Sequence, residues 1–75
     1  MEVSLDRLCI GQQAVVTHIE TDPALRCRLR CFGLVPGTQV CCRYRSPRGS
    51  VTALEFRGSV VALRTRDMRK IWGCY

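Results

Sequence analysis

Thiols, one imidazole and a large set of guanidinium groups are the side chains here that could do chemistry. The chain holds six cysteines, one histidine and twelve basic residues against six acidic ones. Cys27 and Cys31 stand one helical turn apart, a spacing that can bring two thiolates to one ion. Zinc asks for two further ligands, and no C-x-x-C pair supplies them. Cys41 and His18 would have to arrive through the fold. Ferrous iron outside a cluster favours some nitrogen or oxygen ligands. The simpler reading makes Cys27 and Cys31 small hydrophobes flanking a buried stripe. No metal cofactor is therefore expected; Cys27, Cys31 and Cys41 are the candidates if iron or zinc binds. Cys9, Cys42 and Cys74 read as core or edge thiols.

Catalysis finds little footing. A general base needs a polarising partner and a pocket, and no serine or cysteine can be assigned to His18. It reads as a structural or surface histidine. A phosphate-cradling G-x-x-x-x-G-K-[ST] loop is missing, so the chain is not expected to bind or hydrolyse nucleotide itself. The reading is non-enzymatic.

The formal charge is +6 and the pI about 9.4, which permits nucleic acid, anionic lipid or an acidic protein face as partner. Nearly all the cations are arginine, with Lys70 the only lysine. Arg26, Arg28 and Arg30 fall on one segment; Arg43 and Arg45 share one parity of another. Arg57, Arg64, Arg66, Arg69 and Lys70 come later. Nucleic-acid binding would want aromatics interleaved with these charges; Trp72 and Tyr75 lie near Lys70, without an RNP-like or helix-turn-helix pattern. An acidic protein surface is the better-fitting partner, and nucleic acid is not expected.

These groups must be positioned by a small fold. Seventy-five residues make one domain, 1–75, which buries only about 60% of its unfolded surface. No apolar run approaches the roughly 20 residues of a membrane span. The opening Met-Glu-Val-Ser-Leu-Asp lacks the basic-then-apolar layout of a signal peptide, which predicts a cytoplasmic location and reduced thiols.

Leu29 to Val40 organises the rest. Thr21-Asp22-Pro23 opens a helix, with Asp22 as cap and Pro23 at its first position. Leu25, Leu29 and Phe32 form its buried stripe. Gly33 is the left-handed residue that ends it. Leu34 and Val35 carry the apolar path onward, and Pro36-Gly37 signals a type II turn. Ahead of the helix, Ser4 to Leu8 suggests a short turn capped by Ser4, with Leu5 and Leu8 inward. Gln13 to Glu20 reads as a strand whose mixed parity implies two covered faces or a bulge. Gln39 to Arg45 alternates, Val40, Cys42 and Tyr44 inward. Ser46-Pro47-Arg48-Gly49 turns into a strand to Phe56. Arg57-Gly58 makes a tight hairpin into Ser59–Arg64. Thr65 caps a single turn, and Ile71 to Tyr75 is a last strand. The pattern predicts a mainly β chain with one inserted helix, curled into a small five-stranded SH3-like barrel that removes exposed edges.

Arg28-Leu29 followed by Phe32-Gly33-Leu34-Val35-Pro36-Gly37-Thr38-Gln39-Val40 resembles the signature of FeoA proteins, R-L-x-x-L-G-L-x-P-G-x-x-V. Ser46–Gly49 is similar to that family's hairpin turn, Leu63-Arg64 to its fourth-strand ending and Ile71 to its last-strand isoleucine. Phe32 stands where the family has leucine, and the cysteines are not a family feature. The resemblance implies an SH3-like barrel with an inserted helix. It implies a cytosolic accessory protein of ferrous-iron uptake whose partner is FeoB, a membrane transporter with a cytosolic GTPase domain. It also implies peripheral association with the inner membrane through that partner, without insertion. The docking candidates are Arg26 and Arg30 beside Leu34, Val35 and Pro36. The alternatives are a metal- or redox-responsive cysteine regulator and a small basic barrel binding RNA. Weak homo-oligomerisation stays open.

Overall fold

A computed structural model describes residues 2–75. In chain order it has β1 (Glu2–Ser4), a 3-10 turn (Leu5–Arg7), β2 (Gln13–Ile19), α1 (Pro23–Cys31), β3 (Gln39–Arg45), β4 (Val51–Phe56), β5 (Ser59–Arg64), a one-turn helix α2 (Thr65–Met68) and β6 (Ile71–Cys74). All strand pairings are antiparallel, in the order β1-β6-β2-β3-β4-β5. The mainly β architecture with one inserted helix is as expected. The sheet has six strands rather than five, because Glu2, Val3 and Ser4 pair with Cys74, Gly73 and Trp72. It is not closed: β1 and β5 are its free edges.

The core lies on one face. Leu5, Leu8, Val16, Leu29, Leu34, Val40, Leu54, Phe56, Met68 and Ile71 are buried there. Leu5 and Leu8 point inward as expected, but the expected Ser4 cap is not made. Ser4 donates its hydroxyl to the Asp6 carboxylate instead. Nor does Thr65 cap α2: Arg64 holds the cap position, and the Thr65 hydroxyl lies 3.2 Å from that of Thr52.

Two bulges decide which side chains face in. In β2 the register against β6 shifts between Val16 and His18. The extra residue, Thr17, turns His18 to the Trp72 side and Ile19 toward the core beside Ile71. In β3 the shift falls between Cys42 and Tyr44. Beyond it Tyr44 pairs with Ala53 and Arg45 with buried Thr52, so Tyr44 is 52% exposed rather than inward, and Arg45 turns in. An inserted residue inverts the period-two alternation beyond it. Arg45 uses its new direction: Nη2 donates to the carbonyls of Asp6 at 2.9 Å and Leu8 at 2.7 Å, tying the first turn to β3.

Candidate functional site: a basic hollow beside the helix

Asp22 accepts a hydrogen bond from the Leu25 N–H at 3.2 Å, and Pro23 takes the first helical position, so α1 starts where its cap chemistry requires. It ends in a full Schellman arrangement. The Gly33 N–H donates to Arg30 O at 3.0 Å and the Leu34 N–H to Leu29 O at 2.9 Å. Gly33 has φ +94°, and the flanking pair Leu29 and Leu34 is buried. Because Phe32 is the cap rather than the next turn, it leaves the stripe. It is 52% exposed, a correction to the expected Leu25–Leu29–Phe32 face, on which only Leu29 is fully buried and Leu25 partly so.

The chain then crosses the sheet. Pro36 and Gly37, the latter with φ +96°, form a type II turn closed by the Thr38 N–H on Val35 O at 3.0 Å. Thr38 secures the loop from within: its hydroxyl donates to Gly33 O at 2.9 Å and accepts from the Val35 N–H at 3.2 Å. Val16 and the turn exchange backbone bonds, Gly37 N–H to Val16 O at 2.7 Å and Val16 N–H to Thr38 O at 2.9 Å. The crossing segment is thus held to β2.

This scaffold brings Arg26, Arg30, Leu34, Val35 and Pro36 around one hollow of about 230 Å³, completed by His18 and Ile19. The arginines are exposed on consecutive turns of α1. Leu34 is fully buried and only backs the hollow, so the apolar surface on offer is half-buried Val35 and exposed Pro36. Exposed Phe32 stands at the helix end. At the rim His18 stacks on Trp72, centroids 5.8 Å apart at 17°. Its Nδ1 lies 3.1 Å from Glu2 and its Nε2 2.9 Å from Glu20. The two carboxylates take opposite ring nitrogens and do not converge on one point.

The thiols are dispersed. Cys27 and Cys31 are exposed, not packed against the stripe, whereas Cys41 is half-buried on β3. Among the described residues no three Cys, His, Asp or Glu side chains are grouped so as to hold a metal ion. All six cysteines are free thiols. Cys42 is the buried one, and burial pushes its thiol above the ordinary value despite the opposing charge of Arg45. His18 and Ile19 line the hollow and were not among the residues expected there; Phe32, exposed at the helix end, was expected in the buried stripe. The helix-ending glycine was the signal for Phe32, since the residue before a C′ glycine is the cap. His18 and Ile19 depend on the β2 bulge.

Six antiparallel strands with a single helix between the second and third define a small SH3-like β protein. The family model for the FeoA domain matches residues 3–73, and the chain belongs to the FeoA family. That membership implies an accessory role in ferrous-iron transport; the FeoA domain is a small accessory domain rather than an enzyme family. An FeoA protein from Chlorobium tepidum is 27% identical with a TM-score of 0.91, over 96% of this chain and 70% of its own. An FeoA-like protein from Clostridium acetobutylicum is 25% identical with a TM-score of 0.83, over 96% of this chain and 84% of its own. A manganese-dependent transcriptional repressor is 16% identical with a TM-score of 0.87, over 97% of this chain but 41% of its own, a likeness of fold alone. A comparison with curated proteins found no match. No helix among the described residues is long and apolar enough to cross a membrane.

Proposed function

We propose that this chain is a non-enzymatic modulator that docks, through the hollow beside α1, on the cytosolic GTPase region of a FeoB-type ferrous-iron transporter. The observation that carries this reading is the gathering of Arg26, Arg30, Val35 and Pro36 around one hollow, with Phe32 exposed at the helix end. Interfaces favour arginine and aromatic anchors beside apolar groups. The charge of +6 complements an acidic partner face and would steer encounter with it. The role needs no cofactor on this chain, because iron is the cargo of the partner. Co-purification from detergent-solubilised membranes tests it. The tagged chain should retain a ferrous-iron transporter bearing a GTPase domain, and the Arg26→Glu/Arg30→Glu chain should lose it. A wild-type chain that retains no such transporter would contradict the proposal.

A further inference from the structure

A second hollow, of about 570 Å³, shares no residue with the first. Four arginines line it: Arg48 from the turn before β4, Arg64 from the end of β5, and Arg66 and Arg69 from the α2 segment. No aspartate or glutamate does. Arg69 is partly compensated, its Nε 3.7 Å from Asp6. Among the described residues Arg48, Arg64 and Arg66 have no carboxylate within ion-pairing distance. Like charges repel, so four guanidinium groups around one concavity leave a strong local demand for an anion.

Hydrogen bonds set the frame that holds them. The Ser46 hydroxyl accepts from the N–H groups of Ser50 and Val51, both at 3.1 Å, which sets the turn bearing Arg48. The Thr65 N–H donates to Ser50 O at 2.9 Å, and the Thr52–Thr65 hydroxyl pair ties the start of α2 to β4. Such sites recognise phosphoryl oxygens well, because the planar guanidinium fork matches them bidentately. The hollow falls within the roughly 300–1,000 Å³ of small-molecule sites. Val51 is the one large apolar residue lining it, so it lacks the apolar anchors of a protein interface. No aromatic ring lines it, so it lacks the stacking platform of a single-stranded nucleic-acid site.

We infer that the hollow between Arg48, Arg64, Arg66 and Arg69 is an anion site for a ligand bearing anionic phosphoryl oxygens, either a soluble phosphate compound or an anionic phospholipid headgroup. It rests on residues separate from the docking surface and stands whether or not that surface binds a transporter.

Pyrophosphate titrated into the full chain at low ionic strength, followed by calorimetry and backbone amide shifts, tests the site. One saturable event is expected, with shifts centred on Ser50, Thr65 and Arg66. Arg64→Ala/Arg66→Ala should weaken it by about tenfold or more, as loss of charge-assisted hydrogen bonds does. Arg26→Ala/Arg30→Ala removes the same charge elsewhere and should change it by less than about twofold. Arg48→Ala, in an exposed turn, provides the same readout if the double variant unfolds. Sedimentation with phosphatidylglycerol vesicles, against phosphatidylcholine vesicles, separates the sources. Saturable pyrophosphate binding assigns a soluble compound; binding confined to phosphatidylglycerol and lost in Arg64→Ala/Arg66→Ala assigns a headgroup. Equal losses in the two double variants would overturn the site, as would binding to neither probe. Equally strong competition by polyglutamate would overturn phosphoryl recognition and make the hollow a face for acidic protein.

Discussion

Gly33 carries φ +94° at the point where α1 gives way to the crossing loop, and only a residue without Cβ adopts that geometry freely. A Cβ there would also lie 2.6 Å from Arg57 Cδ, but that side chain is exposed and can move, so the backbone decides the effect. Gly33→Val should lower unfolding free energy by about 1–3 kcal/mol, read by urea denaturation; an unchanged midpoint would refute the cap. Cys42 offers a pH test. Burial raises its thiol above the ordinary value. The unfolded chain therefore releases that proton first as pH rises, and binds fewer protons than the folded chain between the two pKa values. The contribution of Cys42 to stability is thus full below the ordinary thiol pKa of about 8.5 and is lost as pH rises through the folded value. Wild type should lose stability across this range more steeply than Cys42→Ala. Parallel pH profiles for the two would contradict it.

At the scale of elements, Arg45 is the latch. Its two hydrogen bonds to Asp6 O and Leu8 O join segments far apart in sequence, and bonds from a charged donor contribute about 1.5–3 kcal/mol. Arg45→Ala should destabilise by that order, with faster amide exchange in the first turn. Unchanged exchange at Leu8 would remove the latch. Alternation alone placed Arg45 outward and Tyr44 inward. It failed because the β3 bulge at Arg43 leaves no mark in residue types, being a matter of pairing register. In β2 the mixed parity of Val15, Val16, Thr17 and Ile19 fitted two covered faces or a bulge equally, and only pairing with β6 decided for the bulge and located it. The helix was legible because Asp22, Pro23 and Gly33 each have a local physical reason for their position. Phe32 was misplaced by carrying the apolar period one step past the last turn. The first strand has three residues and exists through its partner in β6, so no local pattern reveals it. Gly73 was equally silent: a Cβ there would approach Val15 O to 2.9 Å and Leu5 Cδ2 to 3.1 Å, so its small size serves a packing seen only in the folded sheet.

Across the whole molecule, the family signature and the helix–loop–strand passage coincide, and that passage brings Arg26, Arg30, Leu34, Val35 and Pro36, the proposed docking residues, to one hollow. Sequence placed Arg26, Arg30, Val35 and Pro36 near one another through the helix period and the turn; it could not see that Leu34 would be consumed by the core. The free edges at β1 and β5 were also invisible, since the strands alone do not say whether a sheet closes. The proposed docking is tested by the affinity of wild type and Arg26→Glu/Arg30→Glu for the cytosolic GTPase domain of a FeoB-type transporter, at low and high salt, with circular dichroism as a folding control. Both side chains are exposed, so the fold should persist. The double variant should lose about tenfold or more in affinity at low salt, a loss that narrows as salt screens the exposed charges. Equal affinity of the two folded chains at low salt would contradict it.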